Sequence, residues 1–121
     1  MYTLSMKAAS IYSSPLRREI LRALALEGYG TMVKAVVDLK RQIMTLGGEM
    51  HADGQRILLE DGSCEEDLWG FNLYPDRTDD SWIVFDSMIN IRPWQNNRTR
   101  SIEDPQIQDS IRAFLQKYIL P

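Results

Sequence analysis

The sequence holds one cysteine and one histidine. A lone thiol, Cys64, cannot close an internal disulfide or build a multi-cysteine zinc site, so a reducing compartment is the simpler expectation. A single imidazole, His51, falls short of the usual two-histidine metal triad and allows at most one histidine-based acid–base device. No uninterrupted apolar run approaches the ~18 residues needed to cross a bilayer. The stretch Met1 to Ser14 lacks the basic segment and apolar run of a signal peptide. A cytoplasmic protein without membrane association is therefore expected. Phosphate-cradling glycine loops and nucleophile elbows are also lacking, so neither cofactor nor metal is expected.

A basic excess is lacking too. Lysine and arginine number 14 against 17 acidic residues, a net charge of −3. That disfavours general nucleic-acid binding, which leans on phosphate neutralisation. The charge is unevenly placed. Residues 1–60 hold 8 basic and 6 acidic groups, residues 61–86 hold 1 and 8, and residues 87–121 hold 5 and 3. The acidic middle block is a solvated loop or a docking surface for a basic partner.

What is present is ordinary for a soluble domain: 121 residues, 44% apolar and 26% charged. A chain of this length makes one domain over residues 1–121 and buries a core without staples. Loose alternation over residues 4–12 suggests an opening strand. Ser14 and Pro15 read as the cap and first residue of a helix over residues 15–27, with Leu16, Ile20, Ala23 and Leu24 on one face and Gly28 closing it. Val33 to Asp38 and Ile43 to Gly48 form a hairpin around residues 39–42. Asp53 caps a short helix carrying Ile57 and Leu58. Leu68 to Tyr74 is a strand. Trp82 to Arg92 is the longest strand signal, with Ile83, Phe85, Ser87, Ile89 and Ile91 on one face. Asp104 and Pro105 open a final helix whose Ile107, Ile111, Phe114, Leu115, Tyr118 and Ile119 recur at helical spacing. The expected class is α+β: an antiparallel sheet of four to five strands in two hairpins, with two longer helices and one short helix packed on one side.

Three constellations could carry chemistry. Glu49, His51 and Asp53 place an imidazole between carboxylates, which would orient it and favour its protonated form. The alternative is that His51 and Asp53 serve the start of the short helix. Cys64 with His51 is a poor nucleophile–base pair, since Asp61, Glu65, Glu66 and Asp67 raise the thiol's pKa. The stretch from Arg92 to Arg100 holds three arginines, three side-chain amides, Trp94 and no acid. Guanidinium forks and amides suit an anionic or polar ligand. The alternative is that they stitch a long loop to its neighbours. The second face of the 82–92 segment, with Trp82, Val84, Asp86, Met88, Asn90 and Arg92, is too apolar for water and too polar for a dry core, which suits a subunit contact or ligand cleft.

Several runs carry a resemblance: Gly47-Gly48-Glu49-Met50-His51-Ala52-Asp53, Glu66-Asp67-Leu68-Trp69-Gly70, Asn72-Leu73-Tyr74-Pro75, and Phe85-Asp86-Ser87-Met88-Ile89-Asn90-Ile91-Arg92-Pro93, followed by Gln95, Asn97, Arg98 and Arg100. From about Met32 to Asp104 the chain resembles a small bacterial and archaeal family known as a domain of unknown function. Trp94, Asn96, Gly54 and Cys64 depart from its pattern. The resemblance implies no activity. It singles out Glu49, His51 and Asp53 as catalytic candidates, and Asp86, Asn90, Arg92, Gln95, Asn97, Arg98 and Arg100 as ligand-binding candidates. The favoured reading is a homodimeric binding module for an anionic or polar ligand, with a protein partner as a further possibility. A hydrolase-like enzyme using His51 with Glu49 or Asp53, and RNA binding through Trp94 and the arginines, are the alternatives.

Overall fold

A computed structural model describes residues 8–121. Of the opening strand expected over residues 4–12, residues 4–7 lie outside that range; the described part is β1, Ser10–Tyr12. The main sheet has the order β1-β4-β3-β5-β6, antiparallel throughout. Its members are β3 (Val33–Asp38), β4 (Ile43–Leu46), β5 (Leu68–Leu73) and β6 (Ile83–Val84). The β3–β4 hairpin is as the alternation and turn chemistry predicted, and β5 and β6 pair antiparallel as expected, over two residues only. The β3–β4 turn is held by Asp38, which accepts from the amides of Lys40 and Arg41 at 3.0 and 2.9 Å. Gly47 and Gly48 stop β4 with φ of 96° and 87°, angles that a side chain would strain.

The sheet is covered on both faces, not one. Val33, Ala35, Val37, Met44, Trp69, Phe71 and Leu73 face a core completed by α1 (Arg18–Glu27) and α3 (Pro105–Tyr118). Val36 and Leu68 face the other way and meet Leu58 of α2 (His51–Glu60), with Ile89 packed alongside. The central strands β3 and β5 are buried almost throughout, as a strand with a helix on each face must be.

α3 begins as expected: Asp104 accepts from the Gln106 amide at 2.9 Å, and Pro105 needs no partner for its missing N–H. α1 does not. Leu16 and Arg17 form a short strand, β2, paired in parallel with β7 (Ile119–Leu120) at the end of α3. The helix therefore starts at Arg18, and its buried face is Leu21, Leu24 and Ala25, leaving Ile20 exposed. α2 starts two residues before Asp53, because the Asp53 carboxylate reaches back to the Met50 amide at 3.1 Å instead of capping from outside.

The 82–92 segment departs furthest. Only Ile83 and Val84 pair as strand; short 3₁₀ turns follow at Met88–Asn90 and Pro93–Gln95. Ser87 caps the first by accepting from the Ile89 amide at 3.3 Å. The period-two pattern arose because Ser87 and Ile89 sit on the sheet from a turn lying across it. Gly70 makes room: a Cβ there would stand 2.7 Å from Ser87 Oγ. Among the described residues no helix is long and apolar enough to cross a membrane.

Candidate functional site

One edge of β5 pairs with β3 along its length, but the other meets β6 only at Asn72 and Leu73. Side chains supply what a longer β6 would have supplied. The Gly70 amide donates to Asn90 Oδ1 at 2.9 Å, and Asn90 Nδ2 donates back to the Gly70 carbonyl at 2.9 Å. Arg92 continues the edge: Nη2 donates to the Leu68 carbonyl at 2.7 Å, Nη1 donates to the Glu65 carbonyl, and the guanidinium lies 4.3 Å over the Trp69 ring. Its Nε is buried without a partner. Burial holds the Arg92 pKa below its ordinary value, with Glu65 opposing.

The rest of the loop is spent the same way. Asn97 Nδ2 donates to the carbonyls of Asn90 and Ser101 at 2.7 Å, and its Oδ1 accepts from the Glu103 amide at 2.8 Å. Gln95 Nε2 donates to the Glu66 carbonyl at 2.7 Å. The amides of Arg98 and Thr99 donate to Glu103 Oε2 at 2.6 and 3.0 Å, while Arg98 itself is exposed. Four of the seven expected ligand-binding residues, Asn90, Arg92, Gln95 and Asn97, thus turn their polar groups onto the chain's own backbone. The polar half of the supposed second strand face, Asn90 and Arg92, is interior.

Of the remaining three, Arg98 is exposed, Asp86 is paired with Arg100, and Arg100 joins His51 in lining a cleft of about 210 Å³. It opens between the start of α2 (Met50, His51, Ala52) and the turn bearing Ser87, Met88 and Ile89, with Lys34 of β3 and Arg100 completing the lining. Arg100 Nε lies 2.7 Å from Asp86 Oδ1, with both side chains about half exposed. Lys34 stands 5.3 Å over the Tyr29 ring, whose hydroxyl donates to the Glu49 carbonyl. Burial lowers the Lys34 pKa, Asp86 raises it and Arg100 lowers it further. At the start of α2 the Asp53 amide donates to the Met50 carbonyl at 3.1 Å, while the amides of His51 and Ala52 add partial positive charge that the Asp53 carboxylate in the same turn offsets.

His51 is 7% exposed, and its Nε2 lies 2.8 Å from the Phe71 carbonyl. A carbonyl only accepts, so Nε2 carries the proton. Burial is the main reason the ring's pKa falls to about 4; the Lys34 charge adds to this, while the Phe71 carbonyl, Asn72 and Asp86 oppose it. Asn72 stands beside the ring, and its side-chain hydrogen bonding is among the causes that hold the His51 pKa up; its Nδ2 also donates to the Asp86 carbonyl at 3.4 Å. The ring is neutral near pH 7. Neither carboxylate expected beside it is bonded to it: Glu49 is exposed, and Asp53 is turned to the Met50 amide.

Lys34 and Asn72 were not among the residues singled out from the sequence. The available signal was a lysine and an asparagine within strands otherwise made of core residues. They are direct register partners on β3 and β5.

Elsewhere, a cleft of about 450 Å³ lies between α1, α3 and Trp82, flanked by Arg18 and Arg112. Cys64, Glu66 and Asp67 bring one ligand atom each within 4.8 Å of one another, as an acidic surface cluster with no further sign of an ion site.

These features define a small α+β protein whose amide-rich loop is bound to its own sheet and whose accessible charge converges beside the start of one helix. The chain belongs to the family described as "Protein of unknown function (DUF5674)", whose family model matches residues 10–118. No curated protein and no solved structure matches it.

Proposed function

We propose that the protein is a binding module for a small monoanion, held in the cleft between α2 and the Ser87–Ile89 turn. The observation that supports this is the pairing of charge around the cleft: Arg100 is bonded to Asp86 at 2.7 Å, while Lys34 lines the cleft with no ion pair among the described residues. A dianion would gain little more, since the Asp86 carboxylate opposes it.

Catalysis by His51 is the weaker reading. A ring whose pKa is about 4 is a poor general base near neutrality, and no carboxylate bonds to it. Self-association loses its original motive, because the segment expected to present a second strand face pairs only at Ile83 and Val84, and its Asn90 and Arg92 are buried within the chain.

The test is a thermal-shift and amide-NMR titration with acetate and other small monoanions, against chloride at matched ionic strength. Organic monoanions are expected to raise Tm and to move the amide signals of Ala52 and Arg100. Lys34→Gln and Arg100→Gln are expected to abolish both responses while the ligand-free Tm changes little, because exposed ion pairs contribute ~1 kcal/mol or less. A response that survives both substitutions, or that chloride reproduces, overturns the proposal.

A further inference from the structure

We infer that the larger cleft, between α1, α3 and Trp82, binds a small amphipathic monocarboxylate, with its carboxylate on Arg18 and its apolar body on the floor beneath. This cleft shares no lining residue with the one at His51, so the inference stands apart from the reading above.

At about 450 Å³ the cleft has the size of a small-molecule site, roughly 300–1,000 Å³. Its floor is apolar: Ile83, Leu115 and Ile119 are buried members of the main core, and half-buried Trp82 packs against that core. Such a floor gains from covering by an apolar body and gives a bare ion little to rest on. The rim is charged. Arg18 lies 4.2 Å over the Trp82 ring and donates from Nη1 to the Pro75 carbonyl at 3.2 Å. These contacts hold the guanidinium in place, so less side-chain freedom is lost when an anion binds. Arg22 is paired with Asp76 at 2.9 Å and Arg112 with Asp109 at 3.2 Å, whereas Arg18 has no ion pair among the described residues. Burial lowers the Arg18 pKa, and the neighbouring charge that adds to this is another cation, Arg22. Arg18 is thus a positioned guanidinium with donors to spare, and a planar carboxylate matches its fork. Asp80 on the same rim opposes a second negative charge on the ligand, which favours a carboxylate over a phosphate-like dianion.

The test is an NMR titration of the intact chain with phenylacetate, acetate and phenylacetamide, followed at the Trp82 indole signal, which a Trp82→Phe spectrum identifies. Phenylacetate is expected to move the Trp82 indole and to leave that of the exposed Trp94 in place. Acetate, which lacks the apolar body, and phenylacetamide, which lacks the charge, are each expected to bind at least about tenfold more weakly. Arg18→Gln should remove the preference for phenylacetate over phenylacetamide. Gln116, an exposed residue of α3 on the same cleft, varies the rim charge without touching the core. Gln116→Glu should weaken phenylacetate by about two- to fivefold and Gln116→Lys should tighten it by a similar factor, with phenylacetamide unaffected by either. An unmoved Trp82 signal, equal affinities for phenylacetate and phenylacetamide, a preference that survives Arg18→Gln, or an affinity indifferent to the charge at Gln116 overturns the inference. Phenylacetate shifts confined to the amides of Ala52 and Arg100 overturn it too, and assign the ligand to the other cleft.

Discussion

Asn90 faces Gly70 across the open edge of β5 and exchanges two hydrogen bonds of 2.9 Å with its backbone, as a neighbouring strand would. A third bond runs from Nδ2 to the Arg100 carbonyl at 3.1 Å and ties this edge to the wall of the candidate cleft. Replacing Asn90 with Ala leaves a buried amide and carbonyl unpaired. The expected loss is about 2–4 kcal/mol, measured by urea denaturation. Asn90→Asp keeps the shape but removes the donor and places a charge in the interior, so it should be at least as harmful. A loss below ~0.5 kcal/mol for either would show that the side chain is not replacing a strand.

Arg92 extends that edge, and its two carbonyl partners, Glu65 and Leu68, require a planar fork. Lysine keeps the charge but offers one point of contact and cannot lie flat on Trp69. Arg92→Lys is therefore expected to cost about 2–4 kcal/mol in the same denaturation assay, near the cost of breaking a buried charged contact. Arg98→Lys, at an exposed position in the same loop, should stay within ~0.5 kcal/mol. If the two substitutions behaved alike, the distinction between interior and exposed arginines in this loop would be wrong.

These residues also mark where the sequence was readable. Signals that act locally came through: the alternation in Val33–Asp38, the paired glycines after Leu46, and the Asp104–Pro105 helix start. What stayed hidden depended on distant partners. Leu16 is extended because Ile119 lies beside it, more than a hundred residues along the chain. The Trp82–Arg92 alternation imitated a strand because a side-chain amide can occupy a strand's hydrogen-bonding position while Ile89 packs from a turn. The amide-rich loop read as a ligand site for the same reason: a donor aimed at a ligand and a donor aimed at the chain's own carbonyl have the same residue type. His51 and Arg100 were both named, but their sharing a cleft depends on α2 and the 3₁₀ turn meeting over β3.

Gly54, an unusual residue inside a helix, is explained by how closely α2 approaches the sheet. A Cβ at this position would stand 2.2 Å from Thr45 Oγ1 and 3.1 Å from Val36 Cγ2. Helix propensity alone favours Gly54→Ala by about 1 kcal/mol. Overpacking against a β-branched residue on a fixed strand costs about 1–3 kcal/mol, so a net loss is expected. Thr45→Ser relieves little, since the offending atom is the hydroxyl it retains; Thr45→Ala combined with Gly54→Ala should recover much of the loss. A thermal-melt series of the three variants checks this, and a Gly54→Ala protein more stable than the parent would contradict the close approach.

His51 makes stability depend on acid. Its ordinary pKa is 6.5, and burial brings it to about 4 in the folded chain. Between those values the unfolded chain binds a proton that the folded chain refuses, so acidification favours unfolding. The contribution is full above about pH 6.5 and is lost progressively as the pH falls toward about 4, reaching about 3 kcal/mol for a shift of this size. Two measurements test it. NMR titration of the single imidazole should show no transition between pH 7 and 5.5, where an exposed histidine would titrate. Urea denaturation at pH 7 and 4.5 should show a drop in stability, and His51→Phe should shrink the part of that drop due to the ring while losing the Phe71 bond at both pH values. An imidazole that titrates near 6.5 would mean that the ring is solvated and contributes nothing to acid sensitivity.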